Sequence, residues 1–256
     1  MAGLRTVTAT RYVTPLREGG SLPGLVEADD DGLYVLKFRG AGQGIKALVA
    51  EIVAGELARA LGLAVPDIVS MELDPALGAA EPDPEIQDLI TGSAGTNVAL
   101  DFLPGALPYT PAAGFQPSAE LAADVVWLDA LVSNVDRTPR NPNLLVWHER
   151  LWLIDHGAAL FFHHREWDPA ADAALPFAGS GEHVLLPAAG SIAEADERLA
   201  ERLGEAVVRA AVEAVPPGWA DADRYLEYFA HRLAAPRAFA GEAERARSEL
   251  ARGAAA

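Results

Sequence analysis

The sequence predicts an α+β chain in two parts, strand-rich over the first hundred residues and mainly helical afterwards. Three observations predict it. Short runs of Thr, Val, Tyr and Leu recur between residues 6 and 103, separated by Gly, Pro and Asp turns. Only one stretch there, Ile45 to Leu61, carries apolar residues at helical spacing: Ile45, Leu48, Val49, Ile52, Val53, Leu57 and Leu61. Beyond Asp168, Ala-rich stripes near 191–214 and 221–234 read as successive helices. A Pro-rich stretch from Pro104 to Pro117 marks the join, so the chain divides into residues 1–103 and 104–256.

Taken in order, Thr6–Leu16 is a strand, and residues 19–24 (GGSLPG) a turn. Leu25–Ala28 and Leu33–Phe38 are strands joined by the hairpin-type turn Asp29-Asp30-Asp31-Gly32. Alternation puts Tyr34, Leu36 and Phe38 on one face of the second strand and Lys37 on the other, beside Val35. Gly40, Gly42 and Gly44 break the pattern before the helix, and Gly62 caps its C-terminus. Pro66–Leu73 is a strand, Pro75–Glu85 a Pro- and acid-rich loop leading into a short segment, Ile86–Ile90. Val98–Leu103 is a strand ended by Pro104-Gly105. Ser118 caps a helix over Ala119–Leu131, with Glu120 and Asp124 in its early turns. A short hairpin covers Leu144–Trp147 and Leu151–Ile154, and Gly241–Ala256 is an exposed helix or a frayed tail.

Composition excludes several classes of function. The 256 residues include no cysteine, which removes disulfide scaffolds, thiol nucleophiles, iron–sulfur clusters and cysteine zinc sites. A formal charge of −17 repels a phosphate backbone, so direct nucleic-acid binding is not expected. No apolar run reaches the roughly 18 residues of a membrane span, and the opening Met1-Ala2-Gly3-Leu4-Arg5-Thr6 has no signal-peptide core. The expectation is a soluble cytoplasmic protein.

The Ala, Gly, Pro and Arg bias is that of a GC-rich genome. Against it, the retained Lys and Asn residues point to chemistry. Only Lys37 and Lys46 are Lys, and three of four Asn (Asn134, Asn141 and Asn143; the other is Asn97) fall within ten positions that also hold Asp136. Lys37 in mid-strand and Glu51 on the following helix could hold an ammonium against phosphates. Asp136 followed five residues later by Asn141, then Asp155-His156-Gly157 at an apolar strand end, supplies a base, a neutral amide ligand and a carboxylate ligand in that order. Phosphoryl transfer needs those groups, with oxygen ligands for Mg²⁺ that bridge the nucleotide phosphates.

Other patterns fit less well. Gly40, Gly42 and Gly44 could belong to a dinucleotide fold, with Asp67 or Glu72 as the ribose-binding acid and an NAD(P) oxidoreductase as the function. The third glycine comes one position early. Lys46 lacks the sequence context of a Walker A loop. His163 and His164, with Glu166 and Asp168, resemble a metal cluster, but adjacent residues of a strand point to opposite faces. Gly179-Ser180-Gly181 is not a serine-hydrolase elbow.

The set over residues 6–160 resembles the HipA-like branch of the protein-kinase-like fold, with looser similarity to phosphoinositide kinases. Tyr34-Val35-Leu36-Lys37-Phe38, then Ala50-Glu51 ahead of residues 57–66 (LARALGLAVP), resembles its ATP-lysine strand and following helix; Asn134–Asn141 resembles its catalytic loop and Asp155-His156-Gly157 its metal-binding strand end. The resemblance implies a two-lobed kinase that uses ATP and Mg²⁺, with a β-rich lobe over 1–103, a helical lobe over 104–256 and transfer to a protein Ser or Thr. It implies that Lys37 binds phosphates, Glu51 orients Lys37, Asp136 is the base, and Asn141 and Asp155 hold the metal. Gly19, Gly20 and Ser21 would cover the phosphates, and Asp101, Phe102 and Leu103 would form the hinge beside adenine. The sequence departs from the family at Thr138, where His is usual, and at His156, which replaces the Phe of D-F-G. A non-catalytic nucleotide-binding regulator is the alternative the same residues leave open.

Overall fold

Alternating strands close the first region into a barrel. The structure, a computed structural model, describes residues 3–16, 22–112 and 114–254. Strands β1 (Thr6–Pro15), β2 (Gly24–Ala28), β3 (Leu33–Lys37), β4 (Ile68–Leu73) and β5 (Gly95–Asp101) close in the order β1-β2-β3-β5-β4. Every pairing is antiparallel except β1 with β4. On β3 the predicted alternation holds: Tyr34 and Leu36 are buried inside with Val7, Val26 and Met71, while Lys37 faces outward.

Helix α1 (Gly44–Ala60) lies on the outside of this barrel. The bend that launches it needs positive φ at Gly42 and Gly44 (23° and 65°), and glycine adopts those angles at no steric cost. Because β3 is antiparallel to both its neighbours, no parallel βαβ unit accompanies that bend, and the glycines serve the turn rather than a dinucleotide crossover. The helix ends in a Schellman motif. Gly62 (φ 80°) donates its N–H to Arg59 at 2.9 Å, and Leu63 donates to Ala58 at 3.1 Å. Leu48 to Gly55 is buried without interruption, because α1 meets the barrel's outer face on one side and the helical region on the other. A Cβ at Gly55 would meet the Cδ1 methyl of Ile68 in β4, which would have to turn aside to admit it.

The loop expected after β4 contains more structure than its composition indicated. A 3₁₀ turn covers Pro75–Ala80, and α2 (Pro84–Gly92) follows. The signal was local: Asp83 caps the Glu85 N–H, and Pro84 occupies the first turn, where its missing N–H costs nothing. Ile86 and Ile90 of α2 complete the barrel's core.

The second region starts with β6 (Leu107–Pro108), which pairs with the predicted hairpin of β7 (Leu144–Trp147) and β8 (Arg150–Leu153). Helix α3 (Ala119–Leu131) is capped by Ser118 Oγ, as its sequence predicts, and is buried nearly all round. Helices α4 (Pro169–Ala173), α5 (Ile192–Ala200), α6 (Glu205–Glu213), α7 (Ala222–Leu233) and α8 (Ala238–Ala254) follow; α5 and α8 pack on α3, α4 and α6 on α7, and α6 also on α1. None of the described helices is long and apolar enough to cross a membrane.

Arg232 of α7 pins this bundle. It is 2% exposed, and no carboxylate lies within ion-pair distance among the described residues. Its guanidinium donates to the carbonyls of Ala130 (2.9 Å), Leu131 (3.2 Å) and Ala173 (2.9 Å) and to Leu175. The first three carbonyls belong to the C-terminal ends of α3 and α4, where the partial negative charge of a helix collects, and Leu175 lies two residues beyond α4. Arg232→Met strands them without donors. We expect a loss of about 3 kcal/mol, read as a lower urea midpoint with an unchanged m-value.

Candidate active site

The alternation of β3 aims Lys37 away from the barrel core and toward α1. Its ammonium lies 2.5 Å from Glu51 Oε2 and 2.6 Å from Asp155 Oδ1. Glu51 is fully buried, Lys37 is 12% exposed and Asp155 41%. Burial alone would lift the Glu51 carboxyl, but Lys37, and after it His156, hold it below its ordinary range. Burial likewise works against the Lys37 charge, and Asp155 and Glu51 overcome it, raising its pKa. The second Glu51 oxygen faces His156 Nδ1 at 3.4 Å, and His156 Nε2 is buried with no partner among the described residues. The imidazole that follows Asp155 thus backs the carboxylate that holds Lys37.

Asp136 anchors a second group. Its Oδ2 accepts from Asn141 Nδ2 at 2.7 Å and Asn143 Nδ2 at 3.3 Å, and its own N–H donates to Asn134 Oδ1 at 3.1 Å. Thr138 and Asn141 exchange two backbone hydrogen bonds of 3.1 Å, which close the loop between them. Asp155 itself has φ 54°, a left-handed conformation that Asp tolerates better than most residues. Asn141 and Asp155 share no hydrogen bond; the two groups are joined through the backbone.

Arg137 makes that join, a role the sequence analysis did not assign to it. Its fully buried guanidinium meets Asp129 Oδ2 at 2.5 Å and donates to the carbonyls of Asn143 (2.5 Å) and Ile154 (3.4 Å). Ile154 immediately precedes Asp155. Asp129 lies on α3, where it also receives Asn134 Nδ2 (2.9 Å) and His183 Nε2 (2.9 Å). His183 Nδ1 accepts the Leu185 N–H, so the ring carries its proton on Nε2, toward the carboxylate. The one available clue was an Asp placed inside the otherwise apolar run VVWLDALV.

The remaining candidates are dispersed. Asp101 ends β5, and Phe102 donates its N–H to Leu33 at 2.9 Å. The Phe102 carbonyl and the Leu103 N–H have no partner among the described residues. Gly19, Gly20 and Ser21 lie outside the described residues. His163 and His164 sit on a 3₁₀ turn rather than a strand, so they do not diverge as alternation would require: their Nε2 atoms are 3.2 Å apart. His163 also bonds Tyr225 Oη at 2.8 Å, and Lys46 donates to its carbonyl at 2.5 Å. No group of three or more His, Cys, Asp or Glu side chains is gathered for a metal among the described residues. Asn97, the Asn outside the 134–143 window, bonds the Arg39 N–H and the Ser93 and Gly95 carbonyls, a structural task.

The donor set fits a hard cation that keeps other oxygen ligands. Asp155 Oδ2 and Asn141 Oδ1 have no partner among the described residues, and both are oxygens, the type that Mg²⁺ prefers.

A family profile described as HipA-like kinase matches residues 10–233. Among solved structures, the Helicobacter pylori proinflammatory kinase CtkA is similar with a TM-score of 0.59 at 13% identity, covering 97% of this chain and 99% of that one. That likeness shows a protein-kinase-like fold. A Golgi casein kinase is similar at a TM-score of 0.49 and 13% identity, over 98% of this chain and 75% of that one. The same kinase with Mn/ADP bound gives 0.46 and 13%, over 95% and 75%. Among curated proteins none matches.

Two outcomes follow from this geometry. Arg137→Lys keeps a charge opposite Asp129 but lacks the fork that reaches two carbonyls. We expect a loss of about 1–3 kcal/mol, with amide exchange accelerating around 141–143 and 154–156 more than in α3. The second concerns acid. Burial, then His164 and Lys46, depress His163 from 6.5 to about 3. Below pH 6.5 the unfolded chain therefore binds a proton that the folded chain refuses, and stability falls. His164, beside His163, is held down as well, by burial and then Lys46, whereas stability from Glu51 is lost only below 4.5, so the window from 6.5 to 4.5 reports the two imidazoles. The unfolding free energy from urea melts in that window should fall with a slope of up to about 1.4 kcal/mol per pH unit for each imidazole, and His163→Gln should reduce it.

Proposed function

The chain belongs to the HipA-like kinase family, and from that premise we propose that it transfers the γ-phosphoryl group of ATP to a hydroxyl, a protein Ser or Thr serving as acceptor and Mg²⁺ as metal. The observation that carries this reading is the Lys37 ammonium held between Glu51 and Asp155. An ammonium fixed on two carboxylates is positioned to meet phosphate oxygens, and Asp155 keeps an oxygen free beside it. In this reading residues 1–103 and 104–256 form two lobes with ATP between them. The free Phe102 carbonyl and Leu103 N–H, after Asp101, offer adenine an acceptor and a donor.

Asp136 orients the acceptor. Its Oδ2 is occupied by two amides, which fix the carboxylate plane, and Oδ1 remains to accept the acceptor O–H. The acceptor oxygen bonds to the γ-phosphorus as the bond to the β,γ-bridging oxygen breaks, ADP leaves, and Asp136 takes the hydroxyl proton. Asn141 and Asp155 would hold the metal, which neutralises developing charge on the phosphates when bound.

The two aspartates have separable tasks. Asp136→Asn should leave Mg²⁺-dependent ATP affinity nearly unchanged in calorimetry and lower single-turnover transfer by roughly 100-fold or more. Asp155→Asn should weaken both. Wild-type protein that binds ATP and transfers to no acceptor, itself included, would make the chain a nucleotide-binding regulator. Transfer that persists at full rate in Asp136→Asn would show that another group is the base.

A further inference from the structure

Arg140 stands between the candidate base Asp136 and the amide Asn141, at the corner of the turn closed by the Thr138–Asn141 backbone bonds. It is exposed, and its guanidinium has no hydrogen bond, ion pair or ring contact among the described residues. Several arginines of this acidic chain are held, Arg137 by Asp129, Arg165 by Asp172, Arg198 by Asp124 and Arg237 by Asp196, whereas Arg39 and Arg252, like Arg140, keep their donors among the described residues; of these three only Arg140 lies in the loop of Asp136. A free guanidinium on a fixed turn, four positions along the loop from the residue that would receive an acceptor's proton, is available to be read by that acceptor.

A cavity of about 580 Å³ opens beside it. Arg140 forms one wall; Leu186, Pro187 and Leu250 of α8 contribute apolar surface, and Glu182 contributes a carboxylate. Leu250 is 44% exposed, an apolar side chain left facing water at this mouth. Glu182 does not pair with Arg140, so the fork keeps its donors, yet its charge and the chain's −17 would oppose an acidic run. One carboxylate is what a single fork binds well.

We propose, resting on the kinase reading above, that this cavity is the acceptor site and that it takes an extended peptide with one acidic residue close to the phosphorylated hydroxyl, bound by Arg140, and one apolar residue seated against Leu186, Pro187 and Leu250. An extended chain advances about 3.3 Å per residue, so the flanking position at which an acid is preferred reads the span from Asp136 to Arg140.

The test uses the full chain, Mg²⁺·ATP and synthetic peptides with one central Ser, in which Ala, Asp, Arg or Leu is placed at each flanking position in turn. Wild type should phosphorylate a peptide with one Asp near the Ser about five- to tenfold more efficiently in kcat/KM than the Ala parent. Arg140→Glu should reverse that choice in favour of Arg. Leu250→Ser should reduce the gain from Leu. Both residues are exposed, so thermal melts should show both variants folded. Wild-type transfer indifferent to flanking charge, or an Asp preference unaltered in Arg140→Glu, overturns the site while the kinase reading stands. Wild type that phosphorylates neither a peptide nor itself overturns the kinase reading, and this site with it.

Discussion

One buried carboxylate governs the arrangement. Asp129 lies in the middle of an apolar helix, and a charge there is tolerated only when its oxygens are answered. The answers come from three residues: Asn134 and Arg137 in the following loop, and His183, 54 positions from Asp129. Arg137 then carries its spare donors to the carbonyls of Asn143 and Ile154. Satisfying one charge thereby fixes the loop of Asp136 and the strand end of Asp155 against each other.

The second buried charge group is built differently. Around Asp129 every oxygen and donor has a partner, and the group is sealed. Around Lys37 the group opens on one side, because Asp155 is 41% exposed and uses one oxygen only. A sealed network rigidifies, whereas an open one can exchange a partner without leaving a charge stranded. Glu51 is the fixed end of that open group, since α1 is packed into the same core as α3 and cannot shift without disturbing it.

How much of this was legible follows from sequence distance. Lys37 could be placed from two-residue alternation and Glu51 from helical spacing, both local signals, and the structure brings the two side chains into contact. Asp136 and Asn141 share one loop, and their five-residue separation survives as a 2.7 Å hydrogen bond. Asp129 and His183 carry no such signal, because nothing near either residue records the other. Composition misled at α2, where prolines and acids that read as loop were a helix start. Alternation misled at His163 and His164, because it applies only to strands and they occupy a 3₁₀ turn.

Closure of the barrel has a consequence for how other chains can approach. An open sheet offers its outer strand as a template onto which a foreign segment can add. Here β1 lies along β4, so the five-stranded sheet has no outer strand. The smaller sheet offers little more: β6 is two residues long and ends in Pro108, and β8 is covered where Leu153 donates to the Ala64 carbonyl at 2.8 Å. Backbone pairing, the least selective way for proteins to adhere, is thus largely denied, and association falls to side-chain surfaces whose choice of partner one substitution can alter.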